Sequence, residues 1–135
     1  MADPEAAVTD THPLLLHAAG GRGLGAKAAA FFARCEERER ILYVPVAVVW
    51  EVSLLARASQ VNLRRSVRAF FDDLFSNPAY QPLDTTAEQV FLADELRFTR
   101  DPFDGLICAA ARSVGLPLVT RDGAIHDSGA VKTLW

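Results

Sequence analysis

The sequence ILYVPVAVVWEVSLLARA occupies positions 41–58 and contains a strand that leads directly into a helix. The β-branched and aromatic residues of Ile41 to Val44 favour a strand, which Pro45 ends. From Val46 to Ala58 the apolar residues recur three and four positions apart, which is the period of an amphipathic helix. A strand followed at once by a helix indicates one step of a parallel sheet, because parallel neighbours need a crossover connection.

The same alternation continues on both sides of this stretch. Upstream, the pattern predicts a strand over Ala6 to Thr9, a short helix over Pro13 to Ala19 and a helix over Ala26 to Arg40. Downstream, it predicts helices over Leu63 to Phe75, Thr86 to Leu96 and Pro102 to Ser113, and strands over Ala79 to Leu83, Leu116 to Thr120 and Ala130 to Leu134. A polar turn at 59–62 joins the helices on either side into a helical hairpin.

These elements predict a single domain over residues 1–135 with a three-layer α/β/α fold. Its central parallel sheet has four or five strands, and Pro82 restricts the strand at 79–83 to an edge. Residues 1–5 are expected to form a disordered tail. In such folds, ligands bind beyond the carboxyl ends of the strands, where the strand order reverses.

The composition excludes several classes of protein. With 50% hydrophobic residues, 23% charged residues and a net charge of −3, the chain is neither disordered nor a strongly basic nucleic-acid binder. The apolar run Leu42 to Trp50 is too short to cross a bilayer, so no membrane association is expected. Two cysteines are too few for a disulfide framework, and the first residues do not resemble a signal peptide. We therefore expect a cytoplasmic protein.

Two acidic residues follow predicted strands. Asp10 comes directly after the first strand, and Asp122 stands two residues after the apolar strand that ends at Thr120. Both positions lie at the edge of the sheet where ligands bind. Each has a structural alternative, since Asp10 is suited to capping a helix and Asp122-Gly123 is a common turn pair.

Two more acidic residues lie on apolar faces of predicted helices. The helical neighbours of Glu51 are apolar, so its carboxylate points inward and needs a partner. The alternatives for Glu51 are a metal site and a buried ion pair with an arginine such as Arg57. Asp104 also points inward, three residues after Asp101, which is a good N-cap.

Four carboxylates without nearby histidine or cysteine ligands form an oxygen-only set. Such a set is suited to a hard divalent ion, Mg²⁺ or Mn²⁺, and not to structural zinc. The ion would neutralise the mutual repulsion of the acids and activate water for attack on a phosphodiester. The chemistry that this set favours is phosphodiester hydrolysis.

Four motifs in order resemble those of the PIN-domain nucleases, and among them the VapC-type toxins of toxin–antitoxin systems. The motifs are Val8-Thr9-Asp10-Thr11-His12, Val49-Trp50-Glu51-Val52, Arg100-Asp101-Pro102-Phe103-Asp104 and Leu118-Val119-Thr120-Arg121-Asp122. The resemblance implies that Asp10, Glu51, Asp104 and Asp122 are the catalytic and metal-binding residues, supported by the hydroxyl groups of Thr11 and Thr120. It also implies an RNA substrate, Mg²⁺ or Mn²⁺, a homodimer and a small antitoxin that covers the cleft. Pro13 departs from the family pattern.

An acidic centre repels RNA, so arginines are expected to attract the phosphates. The candidates for RNA binding are Arg57, Arg64, Arg65, Arg68, Arg100 and Arg121. The apolar residues Val61, Phe70, Phe71 and Leu74 of the hairpin are more than one helix face needs, which favours a dimer or antitoxin surface.

Two functions other than a nuclease have some support in the sequence. Gly21, Gly23 and Ala26 have the spacing of a dinucleotide-binding fingerprint, but they do not directly follow a strand, which argues against an oxidoreductase. A PIN-like scaffold that binds RNA or protein with little or no nuclease activity remains open, because a sequence does not separate binding from cleavage.

Overall fold

The computed structural model describes residues 3–135, which form an α/β fold with a five-stranded parallel sheet. The strands are β1 (Ala6–Thr9), β2 (Ile41–Pro45), β3 (Tyr80–Leu83), β4 (Leu118–Val119) and β5 (Thr133–Leu134). Seven helices connect them: α1 (Thr11–Ala18), α2 (Ala26–Glu36), α3 (Val46–Arg57), α4 (Val67–Phe75), α5 (Ala87–Glu95), α6 (Pro102–Val114) and α7 (Gly123–Ser128). The fold is the three-layer α/β/α arrangement predicted from the sequence, and α3 and α4 pack together as the expected hairpin.

The strand order is β3-β2-β1-β4-β5, so the direction in which strands are added reverses between β1 and β4. Val8 lies beside Leu118 and Thr9 beside Val119 in the parallel register. The ligand-binding edge of such a sheet lies at this reversal. As Pro82 predicted, β3 is an edge strand.

The central strands are apolar on both faces because helices cover both. Ala7 and Val8 of β1, and Leu118 and Val119 of β4, have no solvent exposure. Ile107 and Cys108 of α6 are buried to the same degree. This packing holds β1, β4 and α6 together. β1 and β4 lead into Asp10 and Asp122, and the first turn of α6 contains Asp104.

Several element boundaries differ from the sequence prediction; for example, α2 ends at Glu36 and not at Arg40, and β5 begins at Thr133 and not at Ala130. The second helix of the hairpin begins at Val67 and not at Leu63, since Arg64 adopts a positive φ of 60° and Ser66 caps the helix by accepting a hydrogen bond from the Ala69 amide. The segment after Asp122, expected to be a turn, is the short helix α7. The Asp122 carboxylate accepts a hydrogen bond from the Ile125 amide at 3.1 Å, which is an N-cap contact.

The hairpin surface predicted from Phe70 and Phe71 was wrong for these two residues. They are 7% and 4% exposed and belong to the hydrophobic core of the same chain. Phe70 and Phe71 pack edge to face with ring centroids 5.0 Å apart. Their side chains therefore stabilise the monomer and are not available as a docking surface.

Three further expectations concern the ends and the class of the chain. Of residues 1–5, expected as a disordered tail, Met1 and Ala2 lie outside the described residues, and the Glu5 carbonyl accepts a hydrogen bond from the Ile41 amide at 3.1 Å. Cys35 and Cys108 are free and buried. Within residues 3–135, every helix is too short or too polar to span a lipid bilayer.

Candidate active site

Asp10 lies at the end of β1, directly beside the end of β4. Its backbone amide donates to the Val119 carbonyl at 3.0 Å. Its carboxylate accepts two hydrogen bonds of 2.8 Å each, one from the Thr11 amide and one from the Thr120 hydroxyl. Asp10 is 8% exposed, and each of its carboxylate oxygens has a protein donor. The first turn of α1 and the end of β4 therefore determine the orientation of this acid.

Glu51 reaches the same place from α3. The hydroxyl of Thr11, which is fully buried, donates a hydrogen bond to Oε1 of Glu51. Thr11 thus contacts two of the predicted acids, Asp10 through its amide and Glu51 through its hydroxyl. The alternative of an ion pair with Arg57 is not observed, since the Arg57 guanidinium lies 5.0 Å above the Trp50 ring. None of the ion pairs among residues 3–135 includes Glu51.

Asp101 and Asp104 lie at the start of α6 and have different contacts. The Asp101 carboxylate accepts hydrogen bonds from the amides of Phe103 at 2.8 Å and Asp104 at 3.3 Å, which is the N-cap predicted from the sequence. The Asp104 carboxylate receives no hydrogen bond from the rest of the described chain. It is half-buried and faces the other acids, so it is the least compensated carboxylate of the group.

One cavity of ≈ 370 Å³ brings the four predicted acids together. Its wall contains Asp10, Glu51, Asp104 and Asp122, together with His12, Pro13, Asp101 and Arg121. We call it the carboxylate cavity. Side chains from four separate segments meet there, including two acids separated by 112 positions, because the β1–β4 reversal brings the strand ends together.

The four acids lie within electrostatic range of one another. Burial raises the pKa of Asp10, and the charge of Asp122 adds to this effect. Burial also raises the pKa of Glu51, to which the charges of Asp10 and Asp101 contribute. The pKa of Asp104 is raised to about 7, first by burial and then by the charges of Asp101, Asp10, Asp122 and Glu51. In the absence of a cation, these carboxylates therefore oppose one another's ionisation.

The donor set fits a hard divalent cation in its chemistry. All four acids offer carboxylate oxygens, and uncompensated negative charge at Asp104 is what such an ion would neutralise. As the side chains are placed, no group of three or more His, Cys, Asp or Glu residues in the stretch 3–135 is close enough to hold a metal ion. Binding of one ion by three or more of these acids would therefore require their side chains to move closer together.

Of the six arginines predicted to contact RNA, one lies in the wall of the carboxylate cavity. This is Arg121, which stands between Thr120 and Asp122. Arg65 and Arg68 form surface ion pairs with Asp73 at 3.3 Å and Asp72 at 3.2 Å. Arg57, Arg64 and Arg100 are exposed and outside the cavity wall.

Sequence reasoning did not place His12 and Pro13 in the site. Both line the carboxylate cavity, and the His12 imidazole is exposed. The available signal was their position, since both follow within three residues of the acid that ends β1. A residue so close to a strand end at a strand-order reversal lies near the ligand edge whatever its type.

The comparisons with known proteins agree with this geometry. The family model of the PIN domain matches residues 7–129. No curated protein sequence matches the chain. Similar solved structures include VapBC2 from Rickettsia felis bound to a promoter DNA fragment, with a TM-score of 0.68 at 15% identity over 95% of this chain and 96% of that one.

Two other similar structures are toxin–antitoxin complexes as well. DNA-bound VapBC from Salmonella typhimurium has a TM-score of 0.65 at 14% identity, covering 96% of this chain and 97% of that one. VapBC-5 from Mycobacterium tuberculosis has a TM-score of 0.57 at 21% identity, with 96% and 98% covered. At these identities the similarity establishes a shared fold.

Proposed function

The chain belongs to the PIN-domain family, and from that premise we propose that it is a ribonuclease that hydrolyses phosphodiester bonds with Mg²⁺ or Mn²⁺. PIN domains are typically nucleases, so the activity that we propose is the usual one for the family. The single observation that carries it is the meeting of Asp10, Glu51, Asp104 and Asp122 in one cavity. No arginine or lysine among the described residues forms an ion pair with any of the four.

In this proposal the four carboxylates of the cavity hold the divalent ion. When bound, the ion supplies a Lewis acid for the phosphoryl oxygen and a water of lowered pKa as the nucleophile. The chain's own contribution is orientation. Thr120 holds one oxygen of Asp10, and Thr11 holds Asp10 by its amide and Glu51 by its hydroxyl. These hydrogen bonds limit the rotation of the Asp10 and Glu51 carboxylates and keep their oxygens in a defined position for the ion.

Arg121 is our candidate for contact with the scissile phosphate. It is the arginine in the cavity wall, and none of the ion pairs within residues 3–135 involves it. A guanidinium binds phosphate through two parallel N–H donors, which orients the phosphate as well as attracting it. Arg57, Arg64, Arg65, Arg68 and Arg100 remain predicted RNA contacts farther along the strand.

The biological role that we propose is the toxin of a type II toxin–antitoxin module, acting on RNA in the cytoplasm. The support is that several similar structures are toxins in complex with antitoxins. A small antitoxin that covers the carboxylate cavity would block access of RNA to all four acids together. We also propose a homodimer. The side chains of Trp50 and Phe91 are 48% and 61% exposed, and we expect them to form apolar contacts between the two copies.

The test of the nuclease proposal is cleavage of a mixture of single-stranded and structured RNAs by the purified protein. We expect cleavage with Mn²⁺, none with a chelator, and a loss of at least about 100-fold for Asp10→Asn and Asp104→Asn. Asp127→Asn is the matched control, because Asp127 is an exposed acid of α7 outside the cavity wall. Equal cleavage by Asp104→Asn and Asp127→Asn would contradict the proposal.

A scaffold with little or no nuclease activity is the second candidate. The observation that favours it is that no three acids of the described chain lie at metal-binding distance as placed. Calorimetric titration with Mn²⁺ separates the two functions. A nuclease binds the ion and loses this binding in Asp104→Asn. For a scaffold, the parent chain and Asp104→Asn should bind RNA equally well, and neither should show a specific Mn²⁺ site.

A further inference from the structure

A second cavity of ≈ 540 Å³ adjoins the carboxylate cavity. The two share Arg121 and Asp122 in their walls, so the loop after β4 separates them. The second wall is completed by Lys27 of α2, His126 of α7 and Trp135 after β5, among others. Its volume is in the range of small-ligand sites, roughly 300–1,000 Å³. We call it the Lys27 cavity.

The Lys27 cavity carries basic groups that are available to an anion. Lys27, Arg121 and His126 line it, together with the acids Asp3 and Asp122. None of the three basic residues takes part in an ion pair within the described part of the chain. Nδ1 of His126 lies 2.7 Å from the Thr133 hydroxyl, which leaves Nε2 for a ligand. The carboxylate cavity next to it has the opposite character, since five acids line its wall.

An aromatic ring of defined position lies in the same wall. The Trp135 indole packs against Gly25 so closely that a Cβ at position 25 would lie 2.6 Å from Cδ1 of the ring. The Trp135 carbonyl accepts a hydrogen bond from the Lys27 amide at 3.1 Å. The ring is partly exposed and is held by backbone contacts, so little conformational entropy is lost when a ligand packs against it.

We propose that the Lys27 cavity binds a nucleotide of the single-stranded RNA adjacent to the scissile phosphate. This inference rests on the proposed nuclease function, because Arg121 links the two cavities and the strand passes from one to the other over it. Lys27 and Arg121 contact phosphates, and the Trp135 indole packs against a base. Basic groups combined with an aromatic surface are how proteins bind single strands without reading their sequence.

The first test measures binding of a fluorescently labelled 12-nucleotide single-stranded RNA in chelator, where no cleavage occurs. Lys27→Gln should weaken the affinity about threefold or more and lower the slope of log affinity against log salt by about 0.7, the value for one phosphate contact. Lys132→Gln is the matched control. Lys132 is the other lysine of the chain, and it is exposed and outside both cavity walls.

The second test follows the indole directly. The chain has two tryptophans, so Trp50→Phe leaves Trp135 as the sole source of tryptophan emission. Saturating RNA should quench or shift this emission, because a base that packs on the ring changes its environment. The same titration with Lys27→Gln in the Trp50→Phe background should require a higher RNA concentration.

The outcomes separate this inference from the proposed function. Equal affinity and equal salt slope for Lys27→Gln and Lys132→Gln would overturn the Lys27 cavity as an RNA site, as would unchanged Trp135 emission at saturation. Cleavage of RNA by those same variants would then leave the nuclease proposal standing. Binding that depends on Lys27 without any cleavage in Mn²⁺ would support the cavity and contradict the nuclease. No RNA binding at all would overturn both.

Discussion

The Thr120 hydroxyl donates a 2.8 Å hydrogen bond to Oδ2 of Asp10, joining residues 110 positions apart at the ends of two neighbouring strands. Thr120 is 2% exposed and Asp10 is 8% exposed, so water does not replace this contact readily. Among the hydrogen bonds that hold Asp10, it counters most strongly the rise in the acid's pKa that burial causes. The position and the ionisation of Asp10 both depend on β4.

Replacing Thr120 by valine should therefore affect stability and site chemistry together. Thr120→Val leaves a buried carboxylate oxygen without its donor, which should cost about 1–3 kcal/mol in the free energy of unfolding. It should also raise the pKa of Asp10 further and weaken Mn²⁺ binding at neutral pH. Urea unfolding and Mn²⁺ calorimetry measure the two effects. Thr120→Ser keeps the hydroxyl, and a serine variant as impaired as the valine variant would refute this role.

The ionisation of Asp104 should make stability and activity depend on pH in opposite directions. Its pKa is about 7 in the folded chain against an ordinary aspartate value of 3.8, so the unfolded chain releases this proton first as pH rises. Without metal, stability should therefore fall between pH 4 and pH 7. Mn²⁺ binding requires the ionised form, so cleavage should rise through pH 7.

Asp104→Asn should weaken this dependence, and the raised pKa values of Asp10 and Glu51 should leave a smaller fall. The variant should be more stable than the parent chain at pH 8 without metal, and it should lose cleavage. Thermal unfolding at several pH values measures the first effect, with Asp127→Asn as the control. A variant whose stability falls as steeply as that of the parent chain across this pH range would assign the titration to another acid.

Asp101 has two roles that substitutions can separate: it caps the N-terminus of α6, and its charge raises the pKa of Asp104. Asp101→Asn keeps the oxygen that accepts from the Phe103 and Asp104 amides, so stability should change little. It removes the charge that, after burial, raises the pKa of Asp104 most, so the pH midpoint of cleavage should move down. Asp101→Ala should lose about 1 kcal/mol of stability in addition. An unmoved midpoint in Asp101→Asn would show that Asp101 does not act on the site.

Gly25→Ala tests the packing that holds Trp135. A Cβ at this position would lie 2.6 Å from Cδ1 and 2.7 Å from the backbone carbon of Trp135, so Trp135 must move. We expect a loss of about 1–3 kcal/mol in urea unfolding. Gly123→Ala is the control, since no atom of residues 3–135 lies within 4 Å of the Cβ that it adds. Equal stability of the two variants would mean that Trp135 packs loosely.

The sequence was sufficient for the features that depend on local patterns. The apolar run 6–9 identified β1, because a strand buried on both faces is apolar throughout. The helical period of 46–58 identified α3, because a helix buried on one face has apolar residues three and four positions apart. Glu51 was found by the same means, since a carboxylate on an apolar face needs a partner. The N-cap at Asp101 followed from a short-range motif and is observed.

Other features were not predicted from the sequence, because they depend on contacts between distant parts of the chain. The apolar pattern predicted a surface at Phe70 and Phe71, although the core of the chain covers them. Asp122-Gly123 has the pattern of a turn, whereas the segment after it is the helix α7, whose residue Ile125 has no exposure. Arg65 and Arg68 stay predictions as RNA contacts, and in the structure they form exposed ion pairs with Asp73 and Asp72 of α4.

The type and order of the elements, the inward direction of Glu51 and Asp104, and the chemistry of an oxygen-only site were all contained in the order of residues, because they depend on periods of two to four positions. Which acids share a cavity depended on the reversal of strand order between β1 and β4, which places Asp10 beside Thr120. The pKa of Asp104 and the neighbouring Lys27 cavity arise in the same way. Charge interactions and burial act through distances in space, and chain separation does not encode these distances.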